Sequence, residues 1–466
     1  MNSSKKRQLE AAKAWDIQRG RFFAVFLLLF EIGIMFAYGF SSTFAPFTAT
    51  TPQSDFSNQI ILYTFTALLA ILGYGLLIAY SDNSAVAGLT TTLIVIAVSV
   101  QLTPMLLRFW DNAFSGFSGS LQLTLAIERT TMVQCSSLLL SLTALVGRMG
   151  QVETILVVFS YNVGWTLSFI VTQYVQSHKG PSSPALYDDY GTNYVYVFAG
   201  VFALITSLIL NLKQGRPSST GSRHSAFISL IGTGFIFACF PFTGILYPNS
   251  NNVYRITEGP LSIYFALTAS VICTYISSAI FGKLKVGVRE SLVGVLSGGV
   301  TIAVVAGAIN NIGACIAIGA FSGFVSGFWL RIVHPRLNLT RSVDHLGILG
   351  PILVCAILGG LGLSPALYQS YNNLSITASG LGAQITDTAL MSYQLAYIGI
   401  AAGTAIVTGL IAGFISLPFR SSLNDFEFTK LVSSDFGLYK EEEGEQYEEE
   451  ERPNETGQAL QQGQQL

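Results

Sequence analysis

Charge is what this sequence has least of. Asp, Glu, Lys and Arg make up 11% of its 466 residues, against about 25% in an average soluble protein. A soluble globule of this length could not cover itself with so few ions and would aggregate. That excludes a cytosolic enzyme, a nucleic-acid binder and a disordered scaffold. Cysteine is scarce as well. Cys135, Cys239, Cys273, Cys315 and Cys355 all lie in apolar stretches and read as small buried hydrophobes rather than disulfides or metal ligands. The chain carries no Walker loop, nucleotide fingerprint, metal-spaced Cys/His cluster or nucleophile elbow. Neither an ATP-driven pump nor a membrane enzyme is expected, and no cofactor or metal. No cleavable signal peptide is expected either, because polar residues 1–18 precede an apolar run of full spanning length.

What is present is apolar surface. Hydrophobic residues make up 51% of the chain and mean hydropathy is +0.53. A bilayer core near 30 Å needs about 20 apolar helical residues. Twelve such stretches occur, over 21–43, 58–81, 86–107, 120–147, 152–174, 191–213, 225–247, 259–282, 288–308, 310–332, 345–367 and 391–417. Placing both ends in the cytoplasm puts twenty of the 24 Lys and Arg residues on the inner side. Only Arg108, Lys179 and Arg255 fall outside, and Arg129 lies within a span. This positive-inside bias supports the even count and the orientation. The expected fold is an all-α polytopic membrane protein with twelve transmembrane helices across 21–417. A cytoplasmic N-terminus (1–20) precedes it; a juxtamembrane segment (418–440) and a disordered acidic, Gln-rich tail (441–466) follow. Self-repulsion keeps the Glu run of 441–451 unfolded, either as a solvated tail or as a tail that holds a cytoplasmic partner.

Inside the spans, Gly319, Gly323 and Gly327, and again Gly409 and Gly413, recur every four residues. That spacing lets helix backbones approach closely. Pro104, Pro241, Pro260 and Pro351 kink or break helices, and Phe240-Pro241-Phe242-Thr243-Gly244 reads as a ring-lined interruption. A charge at mid-bilayer costs about 2.5–3.5 kcal/mol on insertion scales. Glu31, Glu128 and Arg129 are therefore expected to be paired structural ions or parts of a cation relay. Glu128 and Arg129, adjacent on a helix, should face different partners, with Arg129 one option for Glu31. His345, beside Asp344, is either a solvated boundary residue or a proton-passing group.

Several stretches resemble the Rh (Rhesus) branch of the ammonium transporter superfamily: Glu31 in span one; Leu142-Thr-Ala-Leu-Val-Gly-Arg-Met-Gly-Gln-Val152; Val195-Tyr-Val-Phe-Ala-Gly-Val-Phe-Ala-Leu204; Tyr264-Phe-Ala-Leu-Thr-Ala-Ser270 with Ser278-Ala-Ile-Phe-Gly-Lys283; and Leu296-Ser-Gly-Gly-Val300. The similarity runs from about 20 to 440. It implies a homo- or hetero-trimer in which each subunit has its own narrow apolar pore for ammonium or ammonia, with carbon dioxide a further candidate. By that resemblance the first pore histidine of conducting members maps onto Tyr196 and the second near His345 or Leu346. A membrane aspartate maps near Thr131 or Met132, the outer gate phenylalanine near Val133, and the inner one within Phe240, Phe242 and Thr243. Tyrosine, with an ordinary pKa near 10, takes no proton at pH 7. A non-conducting Rh-fold subunit of a membrane complex therefore stands as an alternative, and an unrelated twelve-span carrier as another. Asn373-Leu-Ser375 is a glycosylation sequon in an outer loop, as in a plasma-membrane protein, whereas Asn338-Leu-Thr340 should face inward and stay unmodified.

Overall fold

The computed structural model describes residues 3–44, 53–78, 85–116, 120–145, 149–178, 188, 190–210, 223–243, 253–282, 287–306, 309, 311–340, 344, 347–362 and 387–419. Lipid cannot hydrogen-bond backbone groups, so apolar segments of this length fold as helices. Among the described residues twelve helical rods result, one for each expected span. They are α1 (Ser3–Ser41), α2 (Gln53–Leu68, carried through a π-helical turn Leu69–Tyr74 into Gly75–Leu77), α3 (Ala85–Ser115) and α4 (Leu125–Leu142). Next come α5 (Gln151–Ser177), α6 (a π-helical turn Asn193–Val197 running into Phe198–Leu210), α7 (Arg223–Cys239, ending in a 3-10 turn Phe240–Phe242) and α8 (Val253–Phe281). Last are α9 (Val288–Ala303), α10 (Ile312–Phe328, through a π-helical turn Trp329–Val333 to His334–Thr340), α11 (Leu349–Gly362) and α12 (Asp387–Ser416). Side chains cap several starts: Thr124 accepts from the Ile127 N–H, Asn311 from those of Gly313 and Ala314, and Glu153 and Glu290 from those of Gly150 and Gly287.

Among the described residues, nine helices are long and apolar enough to cross a membrane. The rods outside that set are α4, whose polar residues lower its hydropathy, and α9 and α11, which are too short. From Thr131 to Leu142 every residue of α4 is buried, as is every residue of α9 from Leu292 to Ala303. These helices touch protein rather than lipid, so they tolerate polar residues such as Gln134, Ser136, Ser137 and Ser141. The outer rods meet the hydrocarbon and expose Leu28, Leu29, Phe36, Leu93, Ile276, Ile280, Phe321 and Phe414. One departure from the expected spans is extended chain. Ser42–Phe44 (β1) pairs in parallel with Leu121–Leu123 (β2), Thr43 opposite Gln122, so α1 stops at Ser41 and α4 starts only at Leu125. Pro104 and Pro260 sit inside α3 and α8, whereas Pro241 ends α7.

The glycine spacing has its expected use. The most extensive helix pair is α8 with α10. A Cβ on Gly319 would press into the backbone of Ala266, and one on Gly323 into that of Ser270. Thr274 Oγ1 donates to the Gly323 carbonyl at 3.0 Å and Ser277 Oγ to that of Phe324 at 2.8 Å. Small residues and hydroxyls thus supply the attraction that the hydrophobic effect cannot supply in lipid. Gly323→Ala should cost about 1–3 kcal/mol by overpacking, read as a lower unfolding temperature in detergent. Gly399→Ala, where nothing lies within 4 Å of the added Cβ, should leave that temperature unchanged or raise it.

Candidate functional site

The centre of the bundle is built on two of the π-helical turns. In α2 the turn ends at Tyr74, between Gly73 and Gly75. A Cβ on Gly73 would stand 2.9 Å from Ile236 Cγ1 of α7, and one on Gly75 3.2 Å from Thr92 Cγ2 of α3. The flanking glycines thus let this turn press against two neighbours. In α6 the turn carries Tyr196. An extra residue per turn displaces the register of the helical faces, and both tyrosines end up pointing inward and fully enclosed. Their hydroxyl oxygens lie 2.9 Å apart. The Val195 carbonyl, inside the second turn, accepts from Ser137 Oγ at 2.6 Å. Because that uses the only Ser137 proton, Tyr161 is the donor in its own contact with Ser137 Oγ.

Phe240 seals this pair. Its ring centroid lies 6.1 Å from that of Tyr196 and 6.3 Å from that of Tyr190, the latter stacked. Tyr190 donates to the Pro241 carbonyl at 3.1 Å, fixing the 3-10 turn that aims Phe240 inward. A Cβ on Gly299 of α9 would meet Phe240 Cε1 at 2.7 Å; the absence of that Cβ is what lets the ring lie against the helix. Thr243 Oγ1 returns to the Phe240 carbonyl at 2.8 Å. Phe242 points elsewhere: it is half exposed and stacks on Phe65 of α2 with centroids 4.9 Å apart.

Asp188 completes the geometry. Its buried carboxylate accepts from the Thr192 N–H at 2.5 Å and the Asn193 N–H at 2.9 Å, anchoring the π-helical turn that holds Tyr196. This residue had not been singled out from the sequence, and neither had Tyr74. Asp188 lies outside any expected span, so no hydropathy signal marks it. The signal for Tyr74 was its Gly-Tyr-Gly setting. A similar carboxylate cap lies at the other end of the bundle, where buried Asp344 accepts from the N–H groups of Gly347 at 3.1 Å and Gly350 at 2.8 Å. Burial pushes the Asp344 carboxyl above its ordinary range, against the pull of those donors and of His334.

Residues 25–419 match the model of the Ammonium Transporter Family. The chain belongs to that family, in its Rh branch. It is 23% identical to the ammonium transporter Rh type B of Sus scrofa over 397 residues, covering 81% of this chain and 82% of that protein. It is 22% identical to Rhesus-like glycoprotein B of Dictyostelium discoideum over 388 residues, covering 79% of this chain and 62% of that longer protein. Rh50 of Nitrosomonas europaea, of the Rhesus protein family of channels, shares the fold at a TM-score of 0.64 and 18% identity. That match covers 80% of this chain and 91% of Rh50.

The remaining residues expected at an Rh pore divide. Val133 joins the main core, Met132 packs with Ala70 and Cys135 beside α2, and Thr131 spends its hydroxyl on the Ile127 carbonyl at 3.1 Å. His345, Leu346 and Asn373 lie outside the described residues, as does the acidic tail. The three intramembrane charges are not paired with one another among the described residues. Glu31 accepts from Gln101 Nε2 at 3.4 Å, at the surface of the chain. Glu128 lies within electrostatic reach of Tyr38 of α1, and Arg129 within that of Tyr194 of α6. The two neighbours do face different partners, as helix geometry requires, but the Glu31–Arg129 pairing does not form. Tyr74→Phe and Tyr196→Phe should each leave one buried hydroxyl unpaired and lower stability by about 1–3 kcal/mol. The double variant should recover part of that loss, giving a non-zero coupling in a thermal or denaturant double-mutant cycle.

Proposed function

We propose that this Rh-family protein passes neutral ammonia across a membrane and excludes the ammonium ion. The observation that carries the reading is the uncharged, aromatic composition of the bundle centre: Tyr74, Tyr196 and Phe240, with one hydroxyl pair as the polar contact. Ammonium loses its hydration shell only at great cost in such surroundings; ammonia does not pay that cost. The hydroxyl pair can exchange one hydrogen bond with a passing ammonia without a proton changing hands, since a phenol ordinarily ionises near pH 10 and keeps its proton at pH 7. Deprotonation then takes place in the outer water, and re-protonation in the inner. Phe240 sets the resistance of this path, because its ring fills the space beside the pair.

Family membership supports the topology with both termini in the cytoplasm and the assembly as a trimer, each protomer with its own path. In that orientation Asn373 faces the exterior of the plasma membrane, Asn338 the cytoplasm, and the acidic tail is free to hold a cytoplasmic partner.

Liposomes containing the purified protein, given an inward ammonium gradient, should alkalinise internally faster than empty ones. Phe240→Ala should raise the rate several-fold, and Gly299→Val, which drives a side chain into Phe240, should lower it. Equal rates in empty and protein-bearing liposomes, for wild type and Phe240→Ala alike, would overturn the reading in favour of a non-conducting subunit.

A further inference from the structure

Among the described residues no acid pairs with Arg129. It sits one turn into α4, with only 7% of its surface exposed, and its Nε has no hydrogen-bond partner among the described residues. The neighbouring Glu128 lies within electrostatic reach of Tyr38 of α1, and Glu31 accepts from Gln101. What faces Arg129 instead is the phenol of Tyr194 in α6, an uncharged group. Tyr194 in turn packs edge-on against Trp165 of α5, with centroids 6.2 Å apart, and against Phe169, 5.4 Å apart. Trp165 is completely enclosed, and its indole N–H is likewise without an acceptor. Two buried donors, the Arg129 Nε and the Trp165 indole N–H, therefore neighbour one tyrosine, each without an acceptor among the described residues. A buried cation is paired or coordinates a counter-ion in folded proteins, and buried N–H groups find acceptors. Donors without acceptors call for an anion.

We infer that Arg129, with Trp165 and Tyr194 around it, forms an anion-binding site between α4, α5 and α6, one helical turn from Val133. The shared chemistry is a monovalent anion with hydrogen-bond-accepting atoms. Two sources fit it: a small soluble anion such as chloride or bicarbonate, or the phosphate of a lipid headgroup reached from the membrane interface. A fixed positive charge at this point also repels cations approaching along α4. The site does not depend on conduction, since binding is measured on the protein at rest.

The test uses the purified, detergent-solubilised full chain, stripped of lipid and exchanged into an inert impermeant buffer anion. Chloride and bicarbonate are titrated separately while the unfolding temperature is followed. Tryptophan emission is recorded in parallel, with Trp165→Phe subtracted to isolate Trp165. A soluble-anion site predicts a saturable rise in unfolding temperature and a saturable change in the Trp165 signal. Both should be retained in Arg129→Lys and lost in Arg129→Met. A headgroup site predicts no response to these salts. Phospholipid would instead remain bound to wild type through delipidation, by native mass spectrometry, and be absent from Arg129→Met. Arg129→Met removes an unpaired buried charge, so in anion-free buffer it should unfold at a temperature at or above that of wild type, which keeps the comparison interpretable. A wild type that shows neither a saturable salt response nor retained phospholipid, or an Arg129→Met variant that responds as wild type does, overturns the site. Ammonium-driven alkalinisation is not read in any arm, so failure here leaves the ammonia path standing, and failure of that path leaves this site standing.

Discussion

A membrane gives a backbone no water to bond, and the rest of this structure is an accommodation to that fact. Helices satisfy themselves, but a helix packed in lipid gains nothing from hiding apolar surface against another apolar helix. Attraction has to come from close contact and from hydrogen bonds across the interface. The α8–α10 contact shows both: Gly319 and Gly323 remove the side chains that would hold the backbones apart, and Thr274 and Ser277 reach carbonyls on the opposite helix. The same economy acts at the centre. Gly73 and Gly75 bring the Tyr74 turn against α7 and α3, and Gly299 leaves room for Phe240. Close approach, rather than bulk hydrophobicity, is what makes an enclosed centre available at all.

The π-helical turns are the second consequence. Widening one turn leaves a carbonyl without its regular helical donor, a cost that water would relieve in a soluble protein. Here side chains relieve it: Ser137 gives its proton to the Val195 carbonyl, and Asp188 takes the N–H groups of Thr192 and Asn193 at the head of α6. The shift in register that follows turns Tyr196 and Tyr74 toward each other. The carboxylate, the widened turn and the tyrosine pair therefore form one device, in which the acid lies outside the apolar centre and works through backbone positioning.

This division explains what could be read from the residues alone. The spans were legible because apolar length and the alternation of Lys and Arg are global signals that survive a few polar insertions. Even α4 and α9, buried inside the bundle, were found as apolar stretches like the rest, and the alternation of Lys and Arg supported the count. Tyr196 and Phe240 were legible through resemblance to the Rh pattern. Tyr74 and Asp188 were not, because a π-helical turn has no sequence period of its own and because a capping carboxylate outside the hydrophobic stretch looks like any loop acid. The pairing offered for Glu31 and Arg129 failed for a geometric reason. Glu31 on α1 accepts from Gln101 of α3 at an exposed position, while Arg129 is buried within electrostatic reach of Tyr194 of α6. Helical phase separates residues that charge alone would have joined.

The placement of charge then bears on what can cross. Every described acid near the centre is committed elsewhere: Asp188 to backbone N–H groups, Glu31 to an amide at the surface, Glu128 toward α1. Along the proposed path a cation would find only rings and two phenols at Tyr74, Tyr196 and Phe240, and Arg129 adds a buried positive charge on α4. Each of these raises the energy of a charged permeant, whereas none penalises a small neutral one beyond the space Phe240 occupies. A tyrosine at position 196, where the resemblance places a pore histidine of conducting members, is consistent with this arrangement. Where ions are turned back by desolvation and by a fixed positive charge, the centre needs no group that titrates near neutrality; it needs a hydroxyl pair that can lend one hydrogen bond and take it back.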